Sequence, residues 1–233
     1  MTEFHNIPFC GQHDEGFSIG GRTYQWPRGS HITWALSFSR LGALSDMDLK
    51  DAYTRAFAEI SACCDVTHAM ASNPRSANIL VNVVRLDGPS GVLADCQIPV
   101  GNVDQSTQLL MRVDDSEVWG IFENPPANKI DFYRVALHEL LHAHGLGHKP
   151  DNVPGPALIA PMYSRSIGHL QALDKQELLR RYGPPQTPSA PTSPGQPAPG
   201  TDRLIVEELR VSVGGKRYKL SGSVGPMQLI AED

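Results

Sequence analysis

The densest run of ligand-type side chains in this sequence is His138-Glu139-Leu140-Leu141-His142-Ala143-His144-Gly145-Leu146-Gly147-His148. On a helix, His138 and His142 stand four apart, so both imidazoles project from one face, as two ligands of a single metal ion require. Glu139 follows the first ligand by one residue; it is badly placed to bind the same ion but well placed to reach a water held there. Gly145 lets the chain leave the helix through a left-handed turn and brings His148 back as a third nitrogen. Three neutral imidazoles around an open fourth position describe a catalytic zinc site. Zinc lowers the pKa of a bound water from 15.7 towards about 7 and polarises a carbonyl oxygen. Glu139 would take that water's proton and pass it to a leaving amine. His144, two residues from His142, is expected to face away from the ion and to be exposed rather than a ligand.

A second chemical feature lies near the start, in Pro8-Phe9-Cys10-Gly11-Gln12-His13-Asp14. A thiolate is a soft ligand that can fill zinc's fourth position and displace the water. Cys10 carries such a thiol.

The elements that must position these groups can be read from periodicity. Ser45 to Ala62 predicts a helix: Ser45 and Asp48 resemble a capping box, and Leu49, Ala52, Tyr53, Ala56, Phe57 and Ile60 form one apolar stripe. A second helix is expected from near Ile130 to about His144, and a third from Asp174, with Glu177 at capping-box spacing, to Gly183. His31–Ser37, Asn78–Leu86 and Gln108–Val113 read as strands. The fold class is mixed α/β (α+β).

Four regions follow: an N-terminal segment, 1–20; a body, 21–183; a proline-rich linker, 184–200; and a tail, 201–233. The linker, PPQTPSAPTSPGQPAPG, cannot bury a core and should be extended and polyproline-like. In the tail, Leu209, Val211 and Val213, then Tyr218 and Leu220, alternate about Gly214-Gly215, which reads as a β-hairpin. A lone hairpin is marginal in water, so it should dock on the body, on another copy or on a larger assembly. With 40% hydrophobic residues in 233, the chain is not a disordered one. A net charge of −5 without long runs of one sign argues against nucleic acid as a partner. No apolar run is long enough for a membrane span. The first residues lack the basic and apolar regions of a secretory signal, which leaves localisation open. Four cysteines do not make a disulfide scaffold at this length, although Cys96 could bridge Cys63 or Cys64.

His138 to His148 matches HExxHxxGxxH, the long zinc motif of the metzincin endopeptidases, and HELLHAHGLGH most resembles the matrixin (matrix metalloproteinase) branch. The resemblance covers about residues 8–183. Trp26 with the strand His31–Ser37, the helix segment YTRAFAEI, the strand Asn78–Leu86, the acidic turn RVDDSEVWG and the closing LLRRYG fall in the family's order. It implies a zinc endopeptidase acting on protein or peptide substrates, with a twisted, mostly parallel five-stranded sheet and three helices, extracellular or released. Pro8, Cys10, Gly11 and Asp14 resemble the family's cysteine switch, so the chain would be a zymogen, but Phe9 replaces the switch arginine and removes its ion pair. The family's methionine turn, packed beneath the ligands, aligns in two ways on ALIAPMYS: Met162 is favoured, with Ile159 as the alternative. The histidines of a second, structural zinc correspond to Asp95 and Arg112, so that zinc is expected to be absent. Carboxylates placed like Asp114 and Glu117 bind calcium in the family, and both residues persist. Rival readings are a non-catalytic adaptor of metzincin fold docked into an assembly, and a zinc hydrolase acting on cell-wall peptides.

Overall fold

The computed structural model describes residues 8–11, 25–101 and 103–186, and the backbone of 209–213, 216–221 and 228–231. The chain divides into two compact units, Met1–Pro188 and Ser189–Asp233. In the first, the elements in order are β1 (Phe9–Cys10), β2 (His31–Leu36), β3 (Arg40–Leu41), β4 (Leu44–Ser45), α1 (Asp46–Ser61), β5 (Thr67–Met70), β6 (Ile79–Val84), β7 (Val92–Cys96), β8 (Leu109–Asp114), β9 (Trp119–Gly120), β10 (Ile130–Asp131), α2 (Phe132–Ala143) and α3 (Ala172–Tyr182).

The main sheet has the order β1-β7-β8-β6-β2-β5. β5, β2, β6 and β8 are parallel, β7 runs against β8, and β1 runs with β7. A mostly parallel sheet was expected, but of five strands. The sixth is the N-terminal segment, whose Phe9 and Cys10 pair with Val92 and Ala94. Two residues carry no strand signal of their own; they become a strand because the β7 edge offers unpaired backbone groups.

α1 buries the predicted stripe, Leu49, Ala52, Tyr53, Ala56, Phe57 and Ile60, and opens on the Ser45/Asp48 capping box. Trp34 from β2 stacks on Phe57 with ring centroids 5.3 Å apart, so helix and sheet share one core. α2 is buried on every side, its Arg134, His138, Glu139 and His142 included. Trp26 is fully buried and its indole N–H donates to Ala143 O at 2.8 Å, which satisfies a carbonyl at the end of α2. α3 starts two residues earlier than expected: Gln171 is its N-cap, and the Gln171 N–H donates to the Asp174 carboxylate at 2.8 Å. Glu177, freed from that role, pairs with Arg180 and Arg181.

Asp95 and Arg112 face each other across β7 and β8 as register partners joined by an ion pair, Nε to Oδ1 2.8 Å. Arg112 is about half exposed, so this clip contributes at most ~1 kcal/mol. The four cysteines are unbridged. In the second unit, β11 (Leu209–Val213) and β12 (Lys216–Ser221) form the expected antiparallel pair, with Leu209 opposite Leu220. β13 (Gln228–Ala231) adds a third strand to it. The expected linker, from residue 187 onwards, and the Gly214-Gly215 turn lie outside the described residues.

One expectation is reversed. His144 is fully buried, not exposed. Its Nδ1 donates to Leu140 O at 2.6 Å, leaving Nε2 to accept from Nε2 of His68 at 2.9 Å, and Ser61 Oγ in turn donates to His68 Nδ1 at 2.8 Å. Facing away from the ion does not mean facing water when both sides of the helix are covered. Burial pushes His144 down to about 4 and His68 down to about 2, the latter helped by His144 itself. Unfolded imidazoles take protons near 6.5, so the pair's contribution is complete above that pH and declines as pH falls towards 4. Urea midpoints should fall between pH 7 and pH 4.5, and the fall should be shallower in a His68→Gln/His144→Gln variant. Equal slopes would remove this pair as a source of acid sensitivity.

Candidate metal centre

α2 brings two imidazoles to one place because its first turn is fixed from both sides. Asp131 caps it, its carboxylate accepting the Arg134 backbone N–H at 3.3 Å and the Arg134 Nε–H at 3.1 Å. At the other end Gly145, at φ +86°, takes the left-handed conformation that releases the chain. The Gly145 N–H donates to His142 O at 2.8 Å and the Leu146 N–H to Leu141 O at 3.0 Å. This sharp exit carries His148 back over the helix.

The result is a cluster of Cys10, His138, His142 and His148, all buried, with one ligand atom of each within 4.8 Å of the others. Among the described residues it is the single group of three or more such side chains that could hold an ion. His142 Nε2 lies 3.2 Å from His148 Nε2 and 3.4 Å from Cys10 Sγ. Zinc–nitrogen bonds of about 2.0–2.1 Å set neighbouring nitrogens of a tetrahedral site about 3.3–3.4 Å apart, and a zinc-bound sulfur about 3.5–3.6 Å from a nitrogen. The two spacings from His142 are close to two edges of such a tetrahedron. The tautomers agree: Nδ1 of His138 donates to Leu158 O and Nδ1 of His142 to Leu146 O, each at 2.7 Å. Both Nε2 lone pairs are thereby turned inwards. His138 Nε2 and Glu139 Oε2 are buried with no hydrogen-bond partner, a cost that a bound cation or its water would remove. These residues fit zinc.

The electrostatics point the same way. Burial first, then the facing His148, pushes His138 down to about 4, and burial with its two neighbours holds His142 well below the ordinary imidazole value. His138 and His142 are therefore neutral ligands at pH 7. Burial raises Glu139 to about 8, against the hydrogen bond from the Cys10 thiol. An adjacent positive charge would restore its ionised form.

Asp174, which the sequence reading took for a helix cap alone, also supports the cluster from behind. Its fully buried carboxylate accepts the backbone N–H groups of Leu158 at 2.8 Å and Ile159 at 3.1 Å, besides that of Gln171. It thus holds the turn whose Leu158 carbonyl orients His138. An aspartate at the third position of a helix looks the same in sequence whether its second oxygen meets water or a distant turn.

Met162 does not lie beneath the ligands. It is 47% exposed and forms a β-bridge with Phe9, whereas Ile159 is 4% exposed within the core. The side chain packed inside at this turn is that of Ile159. Asp114 and Glu117 use their oxygens on backbone: Asp114 accepts from Leu86, Asp87 and Ser116, and Glu117 from Ser90 at 2.6 Å. They anchor the loop before β7. Beside the metal group, Phe9, Cys10, Val135, Met162, Tyr163 and Ile167 enclose a cavity of about 30 Å³, room for a water or two.

Comparison with known proteins agrees with this geometry. The sequence model of the Matrixin family matches residues 25–183. Interstitial collagenase of Oryctolagus cuniculus is 29% identical over 212 residues, covering 87% of this chain and 42% of that protein. The Bos taurus protein of the same name is 32% identical over 178 residues, 71% of this chain and 35% of its own length. Matrix metalloproteinase-25 of Mus musculus is 28% identical over 165 residues, covering 65% and 26%. The chain therefore spans less than half the length of these curated relatives. With a matched region that runs from before β2 to the end of α3 and contains all three histidines, the chain belongs to the matrixin family.

Proposed function

We propose that this chain is a zinc-dependent endopeptidase held latent by Cys10. The observation that carries the reading is the convergence of three imidazoles and one thiol within 4.8 Å, beside a buried glutamate oxygen that has no partner. His138, His142 and His148 would hold the ion, which when bound supplies a polarised carbonyl and an acidified water. Glu139 would act as the base that takes a proton from an attacking water and as the acid that returns it to the departing amine. Burial keeps its carboxylate in a medium where this transfer is not wasted on solvent.

The backbone around Cys10 supports latency. The Phe9 N–H donates to Gly91 O at 3.1 Å and the Gly11 N–H to Ala94 O at 2.8 Å, along the β7 edge. From the opposite side, the Cys10 N–H donates to Pro161 O at 3.0 Å and the Tyr163 N–H to Pro8 O at 2.9 Å. An extended peptide entering the cleft would need these same groups, by strand addition to an exposed edge. Gly11 permits the fit, because a Cβ there would stand 2.5 Å from Val92 Cγ1. The ion pair lost with Phe9 is offset by backbone bonds on both flanks.

Glu139→Ala should retain about one zinc per chain by elemental analysis while losing on the order of 10²–10⁴-fold in turnover of a quenched peptide library. Turnover equal to the parent would sink the mechanism. Cys10→Ala should raise the activity of the uncleaved chain several-fold; no rise would count against latency. Chelation should abolish turnover and added zinc restore it, and turnover that survives full metal removal would end the zinc assignment.

A further inference from the structure

The loop from Ser164 to Gln171 forms one wall of the cavity beside the metal group, through Ser164 and Ile167 next to Tyr163, and has no regular secondary structure. Its shape therefore depends on what anchors it. One anchor is Arg134, buried behind the cavity, which donates to the carbonyls of Ser164 and Arg165 and, at 2.6 Å, to Glu123 O. The loop rests on this guanidinium: a Cβ on Gly168 would sit 3.3 Å from Arg134 Cζ.

The other anchor lies on α1, outside the cavity. Glu59 Oε2 accepts from the Tyr133 hydroxyl at 2.6 Å and from the His169 ring at 2.9 Å, while Oε1 accepts the Leu170 N–H at 2.7 Å. One carboxylate thus joins α1, α2 and the far end of the loop. Tyr133 is held in turn by the Arg55 guanidinium, 4.7 Å from its ring centroid. Leu170 itself is buried, and release of Glu59 would leave the Ile167–Leu170 stretch anchored by Arg134 at its first end alone. The three donors outweigh burial and hold Glu59 below the usual carboxylate range, so at pH 7 it accepts all three bonds.

We infer that Glu59 is a positioning residue that fixes the outer wall of the cavity and thereby the length of peptide side chain the cavity accepts. This deepens the peptidase reading and rests on it for the identity of the ligand. Glu59 touches neither substrate nor metal; it acts through Leu170, His169 and Tyr133.

The test uses the zinc-loaded full chain carrying Cys10→Ser, so that the thiol does not compete for the cleft. Two peptidyl hydroxamates that differ only in the side chain entering the cavity, methyl or phenylpropyl, are titrated by calorimetry. Glu59→Ala should shift the affinity ratio at least 5-fold towards the longer side chain. Tyr133→Phe, which removes one hydroxyl, should shift it 2–3-fold, and Glu59→Gln, which keeps a carbonyl acceptor, should shift it less than Glu59→Ala. A ratio within 1.5-fold of the parent in the folded Tyr133→Phe protein, or equal weakening of both ligands, overturns the inference. So does failure of both hydroxamates to bind the parent, which would remove the cavity as a side-chain site. Parent turnover measured alongside separates the two readings: no turnover with a shifted ratio ends the peptidase assignment and leaves Glu59 in its role.

Discussion

The structure is organised around buried lone pairs aimed at one another. Nδ1 of His138 and Nδ1 of His142 are each committed to a backbone carbonyl, so their Nε2 atoms can only accept. Repulsion between such acceptors, in a place too dry to hydrate them, is tolerable when a cation sits among them. Glu139 adds a further acceptor on the same side. Every member of this set costs desolvation, and His138 Nε2 and Glu139 Oε2 have no partner to offset it.

Rigidity at the centre comes from groups that never touch the ion. Asp174 reaches from α3 to two backbone N–H groups of the turn behind His138. Trp26 and the Tyr182 hydroxyl take the carbonyls of Ala143 and His144 where α2 ends. Each bond satisfies a polar group that would otherwise be orphaned by burial, and each also removes a way for the ligands to drift apart. The same logic holds in the sheet, where an ion pair between Asp95 and Arg112 joins positions that resemble a family metal site. A pair of opposite charges can link two strands without an ion, but it closes no loop around itself.

The N-terminal segment shows how an edge strand and a buried thiol can be coupled. Four backbone bonds seat Pro8–Gly11 between β7 and the Pro161–Tyr163 stretch, and that seating aims the Cys10 sulfur at His142. Backbone pairing depends little on side-chain identity. Phe9 therefore takes part through its backbone, and Gly11, where a Cβ would collide, is the less replaceable neighbour.

The sequence by itself determined the parts whose physics is local. The helix stripe of α1, the Ser45 capping box, the four-residue spacing of His138 and His142 and the release at Gly145 all depend on chain geometry within a few residues, and all lie where they were expected. The tertiary structure decided whatever depended on what covers a residue. His144 is turned from the ion yet sealed in the core against His68, and Met162 is exposed while Ile159 is packed. Phe9–Cys10 becomes a strand only because β7 offers it an edge, and Glu59, ordinary in its helix, gathers Tyr133, His169 and Leu170 from elements 74 to 111 residues away. Periodicity states which way a side chain points; only the packed fold states what is there to meet it.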